Sequence, residues 1–277
     1  MIMNKSSFVL LLLLLCCSAN TKAEDGYRLW LRYEPVTDNR LLQQYRHALS
    51  SLQFNTTGSV LTAAKDELTR GIKGLLGTDI PETQAPNSPL PEGCLAVGTP
   101  ASSPLVASMH WEKDLAGLGE EGFLIRSVTT ASGRKATLIA ANTDRGILYG
   151  IFQFLRLLQT RRSLQGLSIN HHPALAYRVL DHWDNLDRKV ERGYAGFSIF
   201  DWFTLPLYMD PRYTDYARAN ASIGINGTVL NNVNASPLIL TKDYLTKVAA
   251  LADLFRSYGI RVYLSVRFSS PIEIGGL

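Results

Sequence analysis

Residues 222–235 read Ser222-Ile223-Gly224-Ile225-Asn226-Gly227-Thr228-Val229-Leu230-Asn231-Asn232-Val233-Asn234-Ala235. A short apolar core, Gly227 to Leu230, runs straight into three asparagines within four residues. That pattern fits a barrel strand ending at a site, because the C-terminal end of such a strand opens into the loops where ligands bind. Two flanking segments repeat the plan. Tyr177 to Asp181 leads into His182-Trp183-Asp184-Asn185, and Arg261 to Val266 leads into Arg267-Phe268-Ser269-Ser270-Pro271. Amides, an aromatic ring and a carboxylate gathered at strand ends suit a polyhydroxylated ligand such as a sugar.

Between these segments lie helical patterns. Pro211 to Ala221 is one, and Thr241 to Tyr258 is the other, with Leu245, Val248, Ala249, Ala252 and Phe255 as its apolar stripe and Gly259 as its stop. Strands at Tyr177–Trp183, Ile225–Asn231 and Arg261–Val266 thus alternate with helices, which demands a parallel sheet. The third strand is soon followed by Gly275-Gly276-Leu277. An open parallel edge leaves backbone groups unpaired, so the expectation is a chain truncated before its sheet is complete.

Upstream the order differs. Tyr27, Leu29, Leu31 and Tyr33 alternate as in a half-buried strand. Ser59 is placed to cap a helix carrying Leu61, Ala64, Leu68, Ile72 and Leu75, ending near Gly77. A proline-rich loop from Pro81 to Pro91 precedes strands at Cys94–Gly98, Gly122–Val128 and Ala136–Ala140. Asn142 or Thr143 opens a helix with Ile147, Ile151, Phe154, Leu155 and Leu158 on one face. This reads as a small α+β layer domain, residues 24–172, with His171-His172-Pro173 at its junction to residues 173–277. The paired histidines have no third metal ligand in view and read as a linker.

Residues 1–23 form a separate unit. Lys5, the apolar run Phe8–Leu15 and Thr21-Lys22-Ala23 follow the plan of a secretory signal peptide, and the run is shorter than the roughly 20 residues that span a bilayer. Export to the periplasm or beyond is expected, with a lipid anchor on Cys16 or Cys17 as the alternative. Removing Lys5 and Lys22 takes 28 basic side chains to 26, against 24 acidic ones, a net charge of +2. A near-neutral surface of this kind is not that of a nucleic-acid binder. Cys94 then stands alone, so neither a disulfide nor a cysteine metal site is expected. The oligomeric state stays open.

The chain resembles the bacterial and fungal α-glucuronidases that debranch xylan. The resemblance is carried by Asp25-Gly26-Tyr27 with Leu29-Trp30-Leu31-Arg32-Tyr33, by Gly146-Ile147-Leu148-Tyr149-Gly150, by His182-Trp183-Asp184-Asn185, by Glu191-Arg192-Gly193-Tyr194-Ala195-Gly196, by Ser222 to Ala235, and by Tyr258-Gly259-Ile260 onward to Pro271. It implies an α/β protein: an N-terminal α/β domain, then a (β/α)8 TIM barrel of which the first three strands are present here. It also implies inverting hydrolysis of the α-1,2 bond between (4-O-methyl)glucuronic acid and xylose, without a cofactor or metal. The ligands are then oligosaccharides derived from glucuronoxylan.

The family's catalytic acid and base belong to later barrel strands, so no catalytic residue is assigned in this chain, and Asp184, Asp187 and Glu191 match non-catalytic positions. Part of the sugar pocket carries over: Trp183 matches a pocket tryptophan, and Val233 a residue that contacts the 4-O-methyl region. Asp184, Asn185, Asn231, Asn232 and Asn234 either bind sugar hydroxyls or tie the loops together, and Arg192 reads as a structural partner of Glu191. Two departures stand out. Arg188-Lys189 falls where the family often has a small residue such as glycine, and Arg267 where it has a short amide. Arg267 is expected to narrow the pocket or to meet the acidic sugar. A non-catalytic carbohydrate-binding or remnant protein, and another exo-glycosidase on the same scaffold, are the alternatives.

Overall fold

The computed structural model describes residues 24–83, 90–130, 132–191, 196–234 and 236–275. The signal segment and Arg192 lie outside them.

The first unit is a five-stranded mixed sheet. Strands β1 (Ser51–Phe54), β2 (Cys94–Gly98), β3 (Phe123–Thr129), β4 (Lys135–Ala141) and β5 (Ser168–His171) lie in the order β1-β2-β4-β3-β5. β1, β2 and β4 run parallel, while β3 is antiparallel to both β4 and β5. Helix α1 (Asn39–Ala48) is capped by Asp38, whose carboxylate accepts from the Leu41 amide at 3.0 Å. Helices α2 (Ser59–Leu76) and α5 (Asp144–Gln159) cover one face, and the short α3 (Pro104–Ser108) and α4 (Glu112–Ala116) cover the other. The expected stripes of α2 and α5 are all buried there, from Leu61 to Leu75 and from Ile147 to Leu158.

Four expectations change here. The Tyr27–Tyr33 segment is not a strand but a run of turns. Asp25 accepts from the Tyr27 amide at 2.9 Å, Leu29 N bonds to Gly26 O at 3.0 Å, and Leu31 N to Arg28 O at 2.9 Å. These local bonds compete with any sheet ladder, and Leu29 and Tyr33 both take φ near +52°. Ser59 is the first residue of α2 rather than its cap, a position held by Gly58 at φ 82°. His171 closes β5 opposite Phe123 and stacks on that ring at 5.1 Å, so it belongs to the sheet and not to a linker. The helix expected at Thr241–Tyr258 buries Val248, Leu251 and Phe255, with Leu245 exposed.

The second unit is β-α-β-α-β. Strands β6 (Val179–Asp181), β7 (Gly227–Val229) and β8 (Arg261–Tyr263) form one parallel sheet in that order. Helix α6 (Pro211–Ser222) connects β6 to β7, and α7 (Lys242–Arg256) connects β7 to β8. The strands are shorter than the sequence indicates, but ladder bonds run past their ends, from His182 N to Val229 O at 3.1 Å and from Leu230 N to Tyr263 O at 3.1 Å. Phe200, Trp202, Tyr213, Leu230, Leu251 and Phe255 fill the core under these elements. A final short helix, α8 (Ser270–Gly275), follows β8.

Buried charge joins the two units. Arg218 of α6 donates to both oxygens of Glu67 of α2, at 2.6 and 2.9 Å, and Tyr33 donates to Glu67 at 2.5 Å. Glu67 is only 1% exposed. A fork of this kind is the form in which a buried carboxylate is tolerated.

Candidate functional site

The C-terminal ends of β6, β7 and β8 bring the motif residues together. After β6 the chain makes a tight hairpin: Asp184 bridges Val190, Asn185 N bonds to Lys189 O at 2.8 Å, and Arg188 N to Asn185 O at 3.0 Å. The turn places Arg188 at φ 71°. This left-handed geometry suits glycine, which explains why a small residue fits there. Arg188 is held in it by Asp201 at 2.8 Å and by the Ser198 carbonyl at 3.1 Å.

Trp183 is 45% exposed and Val233 54% exposed, and they sit on neighbouring loops. Glu191 connects those loops. Its amide donates to Trp183 O at 2.8 Å. Its carboxylate accepts from the Asn232 side chain and, at 3.4 Å, from that of Asn234. Asn232 is buried, and its carbonyl oxygen accepts from the Asn234 amide at 2.8 Å. The two residues flanking Val233 are therefore pinned by the residue that hydrogen-bonds to the Trp183 backbone.

The remaining candidates each have partners within the protein in this geometry. Asn231 is buried, and its side chain pairs with both backbone groups of Ser265, at 2.9 Å in each direction, like an extra rung between β7 and β8. Asp184 is buried and accepts from the Ser198 hydroxyl, and its own carbonyl accepts from the Asn232 amide at 2.9 Å. Asn185 serves the hairpin through its backbone. Arg267 is engaged by Glu273, which also accepts from Ser269 at 2.7 Å. Its charge is thereby matched within α8 and its approach.

Three contributors escaped the sequence reading: Ser198, Tyr216 and Ser265. His182 Nε2 lies 2.7 Å from Tyr216 Oη, which lies 2.9 Å from Thr228 Oγ1, while His182 Nδ1 is 3.8 Å from Asp184. Burial lowers the His182 pKa, and the charges of Asp184 and Asp181 only partly oppose it. The imidazole is thus held neutral under the Trp183 loop. The hydrogen-bond partners of these three residues lie 12 to 34 residues apart in sequence, a separation at which no local pattern signals a contact. Among the described residues, no group of three or more His, Cys, Asp or Glu side chains is placed to hold a metal.

A parallel β-α unit with an aromatic ring and amides at its strand ends offers the surface chemistry that a sugar ring needs. Comparison with known proteins sharpens that reading. The N-terminus model of glycosyl hydrolase family 67 matches residues 29–154, and the family's middle-domain model matches residues 157–277. The chain belongs to glycosyl hydrolase family 67. It is similar to alpha-glucuronidase A of Emericella nidulans, 36% identical over 98% of this chain and 31% of that protein. It is also similar to a probable alpha-glucuronidase A of Aspergillus terreus, 33% identical over 93% of this chain and 30% of that one. The chain therefore spans about a third of the length of these relatives. In structure it resembles a GH138 enzyme targeting pectin rhamnogalacturonan II, with a TM-score of 0.50 and 14% identity over 82% of this chain and 26% of that one, a likeness of fold alone.

Proposed function

We propose that the full-length protein is an exported α-glucuronidase. It removes (4-O-methyl)glucuronic acid, α-1,2-linked to xylose, from xylo-oligosaccharides during xylan degradation, with inversion. In this reading residues 1–23 direct export, residues 24–172 form an N-terminal domain, and residues 173–277 contribute the first three strands of a (β/α)8 barrel. The observation that carries it is the Trp183 and Val233 pair, exposed on adjacent loops at parallel strand ends and tied together through Glu191. Trp183 offers the sugar ring an apolar face, and the tied loops keep that face in register with Val233.

Inversion needs an acid and a base about 6.5–9.5 Å apart with room for water between them. The carboxylates of the hairpin after β6 are already engaged: Asp184 by Ser198, Asp187 by Lys189, and Glu191 by Asn232. They shape the pocket, and the 277-residue chain alone is expected to give no turnover of a glucuronic-acid-bearing xylo-oligosaccharide. Turnover by the purified chain would assign the acid and base to this hairpin instead.

The direct test is Trp183→Ala in the full-length protein, with melting and kinetics measured together. Orientation of a substrate carries several kcal/mol of a barrier, so kcat/KM should fall by about 100-fold or more while the melting temperature holds. A packing tryptophan would instead cost about 3–5 kcal/mol of stability. A variant that melts many degrees lower yet keeps near-normal kinetics in the cold overturns the assignment.

A further inference from the structure

The Asp25–Tyr33 motif takes no part in the strand-end site, yet it builds a groove of its own. The groove lies between this segment and α6 and encloses about 890 Å³, within the size range of small-ligand sites. Tyr27 Oη donates to Asp215 at 2.9 Å and Trp30 Nε1 donates to Ser222 Oγ at 2.6 Å. Asp215 and Ser222 lie seven positions apart on α6, roughly 10 Å along its axis. Both aromatic tips are thus fixed on the helix, while half of Tyr27 (50%) and nearly half of Trp30 (46%) remain open to solvent, with exposed Leu29 between them. Anchored rings with open faces make a rigid platform for stacking sugar rings.

The segment bears a cost for this arrangement. Leu29 sits at φ 52°, a left-handed conformation unfavourable for a branched side chain, in a place where burial would be the default for its neighbours.

Charge narrows the ligand. The lining carries Arg28, Arg32, Arg70, Arg212 and Arg218 against Asp25 and Asp215. Arg218 is committed to Glu67 and Asp215, and Arg32 to Glu24. Arg70 reaches the same Glu67 carboxylate only at 3.3 Å, and Arg212 reaches Asp210 only at 3.6 Å. Both are half exposed, and among the described residues no carboxylate engages Arg28. Guanidinium groups beside aromatic platforms suit a sugar chain bearing a carboxylate, taken bidentately.

We propose that the groove between residues 25–33 and α6 is a second binding site, for an acidic oligosaccharide whose sugar rings lie on Tyr27 and Trp30 and whose uronic carboxylate meets Arg28. The groove lies on the other side of α6 from the second core, into which Tyr213 and Ala217 turn, and Tyr216 is shared, lining the groove while its hydroxyl meets His182. The proposal rests on the glucuronidase reading only for the identity of the sugar.

The test uses the full-length protein and a thio-linked, non-hydrolysable glucuronic-acid-bearing xylotriose in titration calorimetry. Two equivalents should bind. Arg28→Ala and Trp30→Ala should each weaken one of them by tenfold or more and leave hydrolysis of the oxygen-linked oligosaccharide unchanged. Trp183→Ala should weaken the other. Uncharged xylotetraose should bind the groove at least tenfold more weakly than the acidic probe. Should Trp30→Ala fail to fold, Arg28→Ala carries the test, because among the described residues its side chain makes no hydrogen bond or ion pair. A single equivalent lost only in Trp183→Ala, or equal groove binding of the uncharged chain, overturns the proposal. Absent hydrolysis with groove binding intact would sink the strand-end reading alone.

Discussion

Trp183 and Asn231 lie within one patch of loops, the first half-exposed and the second buried. Asn231 is a buried rung, so Asn231→Ala leaves both backbone groups of Ser265 unpaired. Ser265 is only half-buried, so the cost should fall at the low end of the roughly 1–3 kcal/mol for an orphaned buried group, and the urea midpoint of the variant should drop accordingly. Asn234 is exposed and bonds Glu191 only weakly at 3.4 Å, so Asn234→Ala should stay within about 0.5 kcal/mol of the parent. Glu191 separates positioning from chemistry. Glu191→Ala should raise KM more than it lowers kcat, because it frees the loops carrying Trp183 and Val233. Glu191→Gln should recover part of the loss, since its carbonyl still accepts from one amide. Equal loss of kcat in both variants would mark Glu191 as a reacting group.

At the scale of elements, close approach explains what the amphipathic pattern leaves unstated. Gly146 and Gly150 belong to one motif on α5, and both face the sheet. A Cβ on Gly146 would lie 2.5 Å from the Gly122 carbonyl and 2.7 Å from Ala141 Cβ. Backbone cannot move aside as a flexible side chain does, so Gly146→Ala should destabilise the fold by about 1–3 kcal/mol, as overpacking does, despite alanine's better helix propensity of about 1 kcal/mol. Thermal melting checks the sign. The βα repeat was legible because the helix before β8 has apolar residues at helical spacing and Gly259 as its stop, and each strand ends in polar residues. The turns of Tyr27–Tyr33 were not: alternation describes a strand only when a partner strand exists, and here Asp25 and Gly26 give the backbone local bonds first.

At the scale of the molecule, the two units are held by charges buried between them. Glu121 of the first unit meets Arg178 and Asn226 of the second and Arg145 of α5. Burial raises its pKa, but the hydrogen bonds from Asn226, Arg178 and Arg145 outweigh that and hold the carboxyl below its usual range. A carboxylate with a depressed folded pKa adds stability that is complete above the unfolded value, near 4.3 for glutamate, and that is lost as the pH falls through the folded value. Glu121→Gln should therefore melt lower than the parent at pH 7, with the gap closing as the pH drops below about 4. A gap independent of pH would place the effect in packing. The sequence by itself determined the βαβ order, the apolar stripes of α2 and α5, and the family, because these depend on periodicity and on ordered local motifs. Only the tertiary structure decided that Glu191 ties the Trp183 and Val233 loops, that Glu67 receives Arg218, and that Tyr27 and Trp30 stand open over α6. Each of those facts is a bond between residues 41 or more positions apart, and the chain must fold before such partners meet.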